Sequence, residues 1–286
     1  MKQLLALGVL CLTLVGCTTL DDDAMIESDL VFAERPSGEL SGHLFRPKGD
    51  GPHPAVLVIH GGGWRGGEPW HMGHVSRLLA NDGFVVFTPT YRFTPDHVHP
   101  AQLDDVRDAY RWLAEQPFVD DTNIAVWGYS AGAHLALLLG LAPESAGGLG
   151  EAERPIALVG GGSPTDFDLF NSDSKLIVQL LGSERDADPD AWEAASPINW
   201  VSSDDPPVYL YHGSLDQIVD IDHARDLNAA LQEAGVPSIL DTVMGGHISV
   251  AVLDRNVERR ALAWLRQHLS DETGTFDMLP PDASAP

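Results

Sequence analysis

The spacing of hydrophobic residues separates strand-like from helix-like stretches along this chain. Residues 55–60 (AVLVIH) and 84–88 (FVVFT) are unbroken apolar runs, the pattern of strands covered on both faces. Helical spacing lies between them: Val75, Leu78 and Leu79 precede the stop Asn81-Asp82-Gly83, and Leu103, Val106, Tyr110 and Leu113 lead up to Pro117. Further strands are predicted at 124–127, 156–160, 208–211 and 238–243, and helices at 131–141, at 223–234 ahead of Gly235, and at 250–269. Two short β-prone pieces, 30–32 and 42–45, form a leading antiparallel hairpin closed by the turn-rich PKGDGPHP. Strands alternating with helices predict an α/β fold with a doubly wound, mostly parallel sheet. Only residues 163–203 break the alternation. They are rich in Asp and Pro with a short helical piece at 174–181, and are read as a small partial lid over the carboxyl ends of the strands.

Composition adds one globular domain, placed at residues 30–270, since 286 residues with 44% hydrophobic content can bury a substantial core. Ahead of it, Lys2 and the apolar run 4–15 have the anatomy of a signal peptide (1–16), and the run is too short to span a bilayer. Leu14-Val15-Gly16-Cys17 resembles the lipobox of bacterial lipoproteins, which makes Cys17 the expected lipidation site and 17–29 a lipid anchor and polar tether; the alternative is an ordinary signal peptide containing a cysteine. The expected location is the bacterial cell envelope, with Thr18 suiting outer-membrane sorting by the same resemblance. Cys11 and Cys17 are the only cysteines, so a mature chain cut before Cys17 has no internal disulfide. Forty-two Asp and Glu against 17 Lys and Arg, a net charge of −25, argue against a nucleic-acid partner, which needs a basic face. Residues 271–286 are polar, proline-bearing and aperiodic, and are read as a disordered tail.

Candidate chemistry centres on Gly128-Tyr129-Ser130-Ala131-Gly132, which comes after a predicted strand and opens a predicted helix. In that context Ser130 is a candidate nucleophile, and the helix N-terminus favours developing negative charge beside it. The alternative is a serine in a glycine-rich turn. A serine needs a base, and the base needs an orienting acid. Asp216 and His247 each fall just past a predicted strand, on the same sheet edge as Ser130 and in the chain order Ser, Asp, His. Taken alone, Asp216 is also a turn former and His247 one of 12 histidines. His60-Gly61-Gly62-Gly63-Trp64 comes after the first long strand, and its glycines let backbone N–H groups converge on an oxyanion. Gly62, Gly63 and Ala131 are the candidate donors, with Trp64 N–H as a substitute for one glycine, and His60 braces the loop. A phosphate loop is excluded by the missing Gly-Lys-Ser/Thr. Trp64, Asp166 and Phe167 are weaker candidates for substrate contact, Asp166 and Phe167 reading equally as a turn. His71/His74 and His97/His99 have no carboxylate or cysteine to complete a metal site, so no metal is expected.

HGGGW, GYSAG, HGSLDQIV and GGH together resemble the α/β-hydrolase esterases with an HGGG oxyanion loop. The chain is most similar to the small carboxylesterases grouped with bifunctional feruloyl and acetyl-xylan esterases, and also to kynurenine formamidases; the resemblance covers about Pro54 to Leu269. It implies hydrolysis of a small-molecule or carbohydrate-linked carboxylic ester through an acyl-serine, without a cofactor. Tyr91-Arg92-Phe93 matches a scaffold segment of such enzymes. The chain departs from them in having Ile-Ser-Val after His247, and it lacks room for a large N-terminal cap. Two other functions stay open: an arylformamidase with the same machinery, and a non-catalytic binding module on a hydrolase fold. The oligomeric state is not legible.

Overall fold

In the computed structural model, residues 24–150 and 153–269 are described. Eight strands form one sheet in the order β1-β2-β4-β3-β5-β6-β7-β8. β1 (Met25–Arg35) and β2 (Gly38–Arg46) make the leading hairpin, and β2 pairs antiparallel with β4 (Val85–Pro89). The remaining pairings, through β3 (His53–Ile59), β5 (Val119–Tyr129), β6 (Leu158–Gly161), β7 (Val208–Gly213) and β8 (Ser238–Val243), are all parallel.

Alternation along the strands divides the core into two layers, because successive side chains leave a strand on opposite faces. Ala55, Leu57 and Ile59 of β3 join Val85 and Phe87 in one layer, whereas Val56 and Val58 join Val86 and Phe45 in the other. The first layer is covered by α2 (Ala101–Ala114), α3 (Ala131–Leu141) and α6 (Asp222–Glu233). The second is covered by α1 (Gly73–Asn81) and, after β8, by α7 (His247–Leu253) and α8 (Arg255–Leu265). Every residue of α3 is buried, which explains a helix that is apolar all round: it lies between the sheet and a further layer.

That further layer comes from residues 163–203, which hold α4 (Lys175–Leu181) and α5 (Pro189–Ala194). α5 has no counterpart in the sequence-based expectation. It is only six residues long, and it starts where the Asp188 carboxylate accepts from Ala191 N–H with Pro189 in the first turn. Two other boundaries differ from expectation. β1 begins at Met25, inside the stretch read as tether, because Ile26 and Leu30 pack against the core and pair with β2. The single helix expected over 250–269 is two: the chain breaks at Asp254, whose carboxylate caps α8 by accepting from Asn256 and Val257 N–H. The signal peptide, Cys17 and the tail 271–286 lie outside the described residues.

Candidate active site

The site is built where β5 passes directly into α3. Ser130 sits at the junction with φ 55° and ψ −123°, a positive-φ conformation costly for a residue with a side chain. The flanking glycines are required by close approach. A Cβ on Gly128 would overlap the carbonyl of Gly132, and one on Gly132 would overlap the carbonyls of Ile59 and His60 in and beside the neighbouring strand. Ser130 N–H donates to Gly161 O at 2.7 Å, tying the turn to β6.

Residues far apart in the chain converge on the hydroxyl. His247 Nε2 lies 2.8 Å from Ser130 Oγ, and His247 Nδ1 lies 2.6 Å from Asp216 Oδ2. Asp216 Oδ1 accepts from Ile218 and Val219 N–H at 2.9 and 3.0 Å, and His212 Nε2 approaches Oδ2 at 3.3 Å. Burial pushes the Asp216 carboxyl up, but donation from His212, His247, Val219 and Ile218 outweighs it, so the group is held well below the usual carboxylate range. An ionised Asp216 fixes the His247 proton on Nδ1 and leaves Nε2 to accept from Ser130.

Tyr129 adds a contact that sequence reasoning missed. Its buried hydroxyl donates to His247 O at 2.5 Å and so holds the backbone that carries the imidazole. The ring ends β5 inside the pentapeptide, and no periodicity marks it as anything but core. Gly162 leaves room beside this pair: a Cβ there would stand 3.0 Å from His247 Cε1 and 3.1 Å from Tyr129 Oη.

The glycine loop meets the serine turn edge on, since a Cβ on Gly61 would lie 2.8 Å from Tyr129 O and 3.2 Å from Ser130 Cβ. Gly62, Gly63 and Trp64 all have positive φ, at 126°, 61° and 57°. Their N–H groups donate to no carbonyl among the described residues, and Ala131 N–H, first in its helix, has no intrahelical acceptor. His60 holds the loop from beneath: Nδ1 is 2.7 Å from Gly61 O, and the ring stacks on Tyr91 at 4.5 Å while Tyr91 Oη donates to His60 O at 3.0 Å. Burial pushes the His60 ring down to about 4, leaving it neutral at pH 7. Arg92 of the same segment is scaffold too, donating twice at 2.8 Å to the fully buried Asp105 of α2.

Of the three expected substrate contacts, Trp64 is among the residues lining the cavity beside Ser130, although its ring points into the core, whereas Asp166 and Phe167 are not among them. The Trp64 side chain is 1% exposed, and its Nε1 donates to His134 Nδ1 at 3.2 Å. Since Nδ1 accepts, the His134 proton is on Nε2, which donates to Ala195 O at 2.8 Å and joins α3 to the 163–203 segment. Phe167 is fully buried and stacks on His134 at 5.0 Å. Asp166 does not line the cavity and instead accepts from Asp168 N–H, capping a short turn. Trp64 thus anchors the loop in its left-handed conformation from within the core, and an aromatic after glycines carries no sequence mark to distinguish the two roles.

Ser130 opens into a cavity of about 670 Å³. Pro164, Phe170 and Leu176 of the 163–203 segment line it, together with Ile218, Ile248 and Val252. His71 and His74 also line it, and among the described residues no group of three or more His, Cys, Asp or Glu is placed to hold a metal ion.

Sheet order, the strained serine turn and the hydrogen-bonded Ser–His–Asp chain define the class: this is an α/β-hydrolase. More particularly, the chain belongs to the BD-FAE family, whose model matches residues 43–231. Among curated relatives, Esterase LipC of Mycobacterium tuberculosis (strain ATCC 25618 / H37Rv) is 33% identical over 191 residues, 61% of this chain and 47% of the relative. Esterase LipQ of the same organism is 29% identical over 207 residues, 65% of this chain and 47% of the relative. The chain therefore spans about half the length of the curated relatives it matches. Two solved structures share the fold: a truncated form of a carbohydrate esterase from gut microbiota (TM-score 0.77, 23% identity, covering 87% of this chain and 98% of that one) and esterase 2 of Thermogutta terrifontis in its apo form (TM-score 0.73, 20% identity, covering 90% and 99%).

Proposed function

We propose that the protein hydrolyses carboxylic esters through an acyl-serine intermediate. The observation that carries this reading is the continuous chain Ser130 Oγ, His247, Asp216, with contacts of 2.8 and 2.6 Å, beside a glycine loop whose N–H groups have no carbonyl partner among the described residues. Ser130 Oγ attacks the ester carbonyl as its proton passes to His247 Nε2. The carbonyl oxygen, now negative, is held by Gly62, Gly63 and Ala131 N–H. Collapse of the tetrahedral species expels the alcohol, which takes the proton back from His247 and leaves the acyl group on Ser130. Water, activated by the same imidazole, then releases the acid. Substrates are small-molecule esters with short acyl chains or carbohydrate-linked esters; the open cavity and the likeness to proteins named esterase and carbohydrate esterase support this. Residues 163–203 act as a partial lid over that cavity. An ester panel from acetyl to long acyl, with acetylated and feruloylated sugars, tests the assignment: turnover is expected on short or sugar esters and abolished by Ser130→Ala. Faster turnover of formylkynurenine than of p-nitrophenyl acetate would favour the arylformamidase reading, and folded protein inert to every ester would favour a binding module.

We also propose that the chain is exported and held at the cell envelope by a lipid on Cys17, supported by the apolar run 4–15 and Leu14-Val15-Gly16-Cys17. Cys17→Ala is expected to abolish lipid incorporation and release the protein from membranes.

A further inference from the structure

Charge on the cavity wall runs opposite to charge on the chain. Asp and Glu outnumber Lys and Arg by 42 to 17 overall, yet the lining holds Arg65, Arg255 and one acid, Glu258. We propose that Arg255 forms an anion-binding subsite on the leaving-alcohol side of the cavity, selecting esters whose alcohol portion carries a carboxylate, with Glu258 and His74 setting its strength. The proposal rests on the reading of Ser130 as nucleophile and His247 as the proton donor to the alcohol.

The alcohol side is identified by continuity. His247 returns its proton to the departing oxygen, so the alcohol lies against the cavity wall next to His247. α7 starts at His247 and puts Ile248, Ala251 and Val252 in that wall, and Arg255 comes next at the start of α8. Ile248 and Val252 are 62% and 52% exposed, an apolar ramp suited to a carbon framework, with a guanidinium at its end. Arg255 uses only Nη1 internally, at 3.1 and 3.4 Å from the Glu258 oxygens, and its Nε and Nη2 have no partner among the described residues. A guanidinium with free donors matches a carboxylate in geometry and charge.

Glu258 governs how much of that charge is available. It is 4% exposed, surrounded by Arg255, Arg259 and Asp254 of its own helix and cap, His74 of α1 and Tyr211 of β7, with Arg77 of α1 acting on His74. Burial pushes its carboxyl up to about 7, against the pull of Arg255. His74, with Nε2 3.3 Å from Glu258, is pushed down by burial and by Arg255, Arg259 and Arg77. Below neutrality Glu258 keeps its proton and Arg255 is uncompensated. Above it Glu258 ionises and competes with the substrate carboxylate, so anion selection weakens as pH rises.

The test compares para-acetoxybenzoate with its neutral counterpart para-acetoxybenzamide on the full-length protein, reading the ratio of their kcat/KM values. Effects of pH on the shared catalytic step act on both esters and cancel in the ratio. Arg255→Gln is expected to lower the ratio about tenfold, chiefly through KM of the carboxylate ester, with Arg255→Lys restoring most of it. In the unmodified protein the ratio falls several-fold between about pH 6 and about pH 8, and Glu258→Gln makes it flat. A ratio unchanged by Arg255→Gln, or independent of pH, overturns the subsite and leaves ester hydrolysis standing. Failure of the unmodified protein to turn over either ester overturns the hydrolase reading, and the subsite with it. If Arg255→Gln does not fold, the wild-type pH dependence and its loss in Glu258→Gln decide.

Discussion

Glu258→Gln isolates the cost of burying an ionisable carboxyl at the cavity wall. The side chain is 6% exposed, and burial moves its carboxyl from an ordinary value of 4.5 to about 7. Between those values the folded protein binds a proton that the unfolded chain has released, so stability falls as pH rises through this window. Displacement from 4.5 to about 7 corresponds to about 3 kcal/mol at full ionisation, an upper figure because Arg255 and His74 relax around the charge. Glutamine keeps the shape without the titration. At about pH 5 the wild type and Glu258→Gln should therefore differ by under about 1 kcal/mol, whereas at about pH 8 the variant should be more stable by about 2 kcal/mol. Urea unfolding at both pH values measures this, provided the slope with denaturant is unchanged. The long-range repulsion of a chain carrying −25 charges acts on both proteins and cancels in the difference. A difference that is the same at both pH values, or a wild type that gains on the variant as pH rises, refutes the reasoning, since it would mean the ion pair with Arg255 outweighs burial.

Other predictions concern the catalytic chain and its supports. Asp216→Asn should reduce kcat about 10⁴-fold with little change in KM, because the amide leaves His247 in the wrong tautomer. The same variant should lessen the loss of stability at acid pH: a carboxyl held below its ordinary value contributes fully above about pH 4, and that contribution is lost as pH falls further. Tyr129→Phe removes the 2.5 Å bond to His247 O and should cost about 1 kcal/mol of stability and about tenfold in kcat, read by urea unfolding and ester turnover. Gly132→Ala sets a methyl group against the carbonyls of Ile59 and His60, both fixed in or beside β3, and should destabilise by about 1–3 kcal/mol with loss of turnover.

The features legible in the sequence came from local rules. Helix α3 runs over 131–141 as predicted because its apolar composition and the glycine turn before it leave no competing pattern. Ser130, Asp216 and His247 were legible because each comes just after a strand whose carboxyl end defines one edge of the sheet. The structure then brings them within hydrogen-bond distance. The features that stayed hidden depend on tertiary packing. Trp64 and Phe167 look alike as surface or core aromatics until both are seen packed on the His134 ring and on each other, and a lone histidine in an apolar helix does not announce that it joins two segments. Glu258 falls in an amphipathic helix among arginines and reads as a solvated charge. Only the approach of α1, with His74, shows it to be buried. The break at Asp254 is hidden because the apolar spacing continues across it, while the capping carboxylate interrupts the backbone without disturbing that spacing.

The most direct measurement is intact-protein and peptide mass spectrometry after reaction with a fluorophosphonate. One adduct per chain is predicted, on the peptide that contains Ser130, absent in Ser130→Ala and strongly slowed in Asp216→Asn. Labelling that persists in folded Ser130→Ala, or no labelling of the folded wild type, would contradict the account.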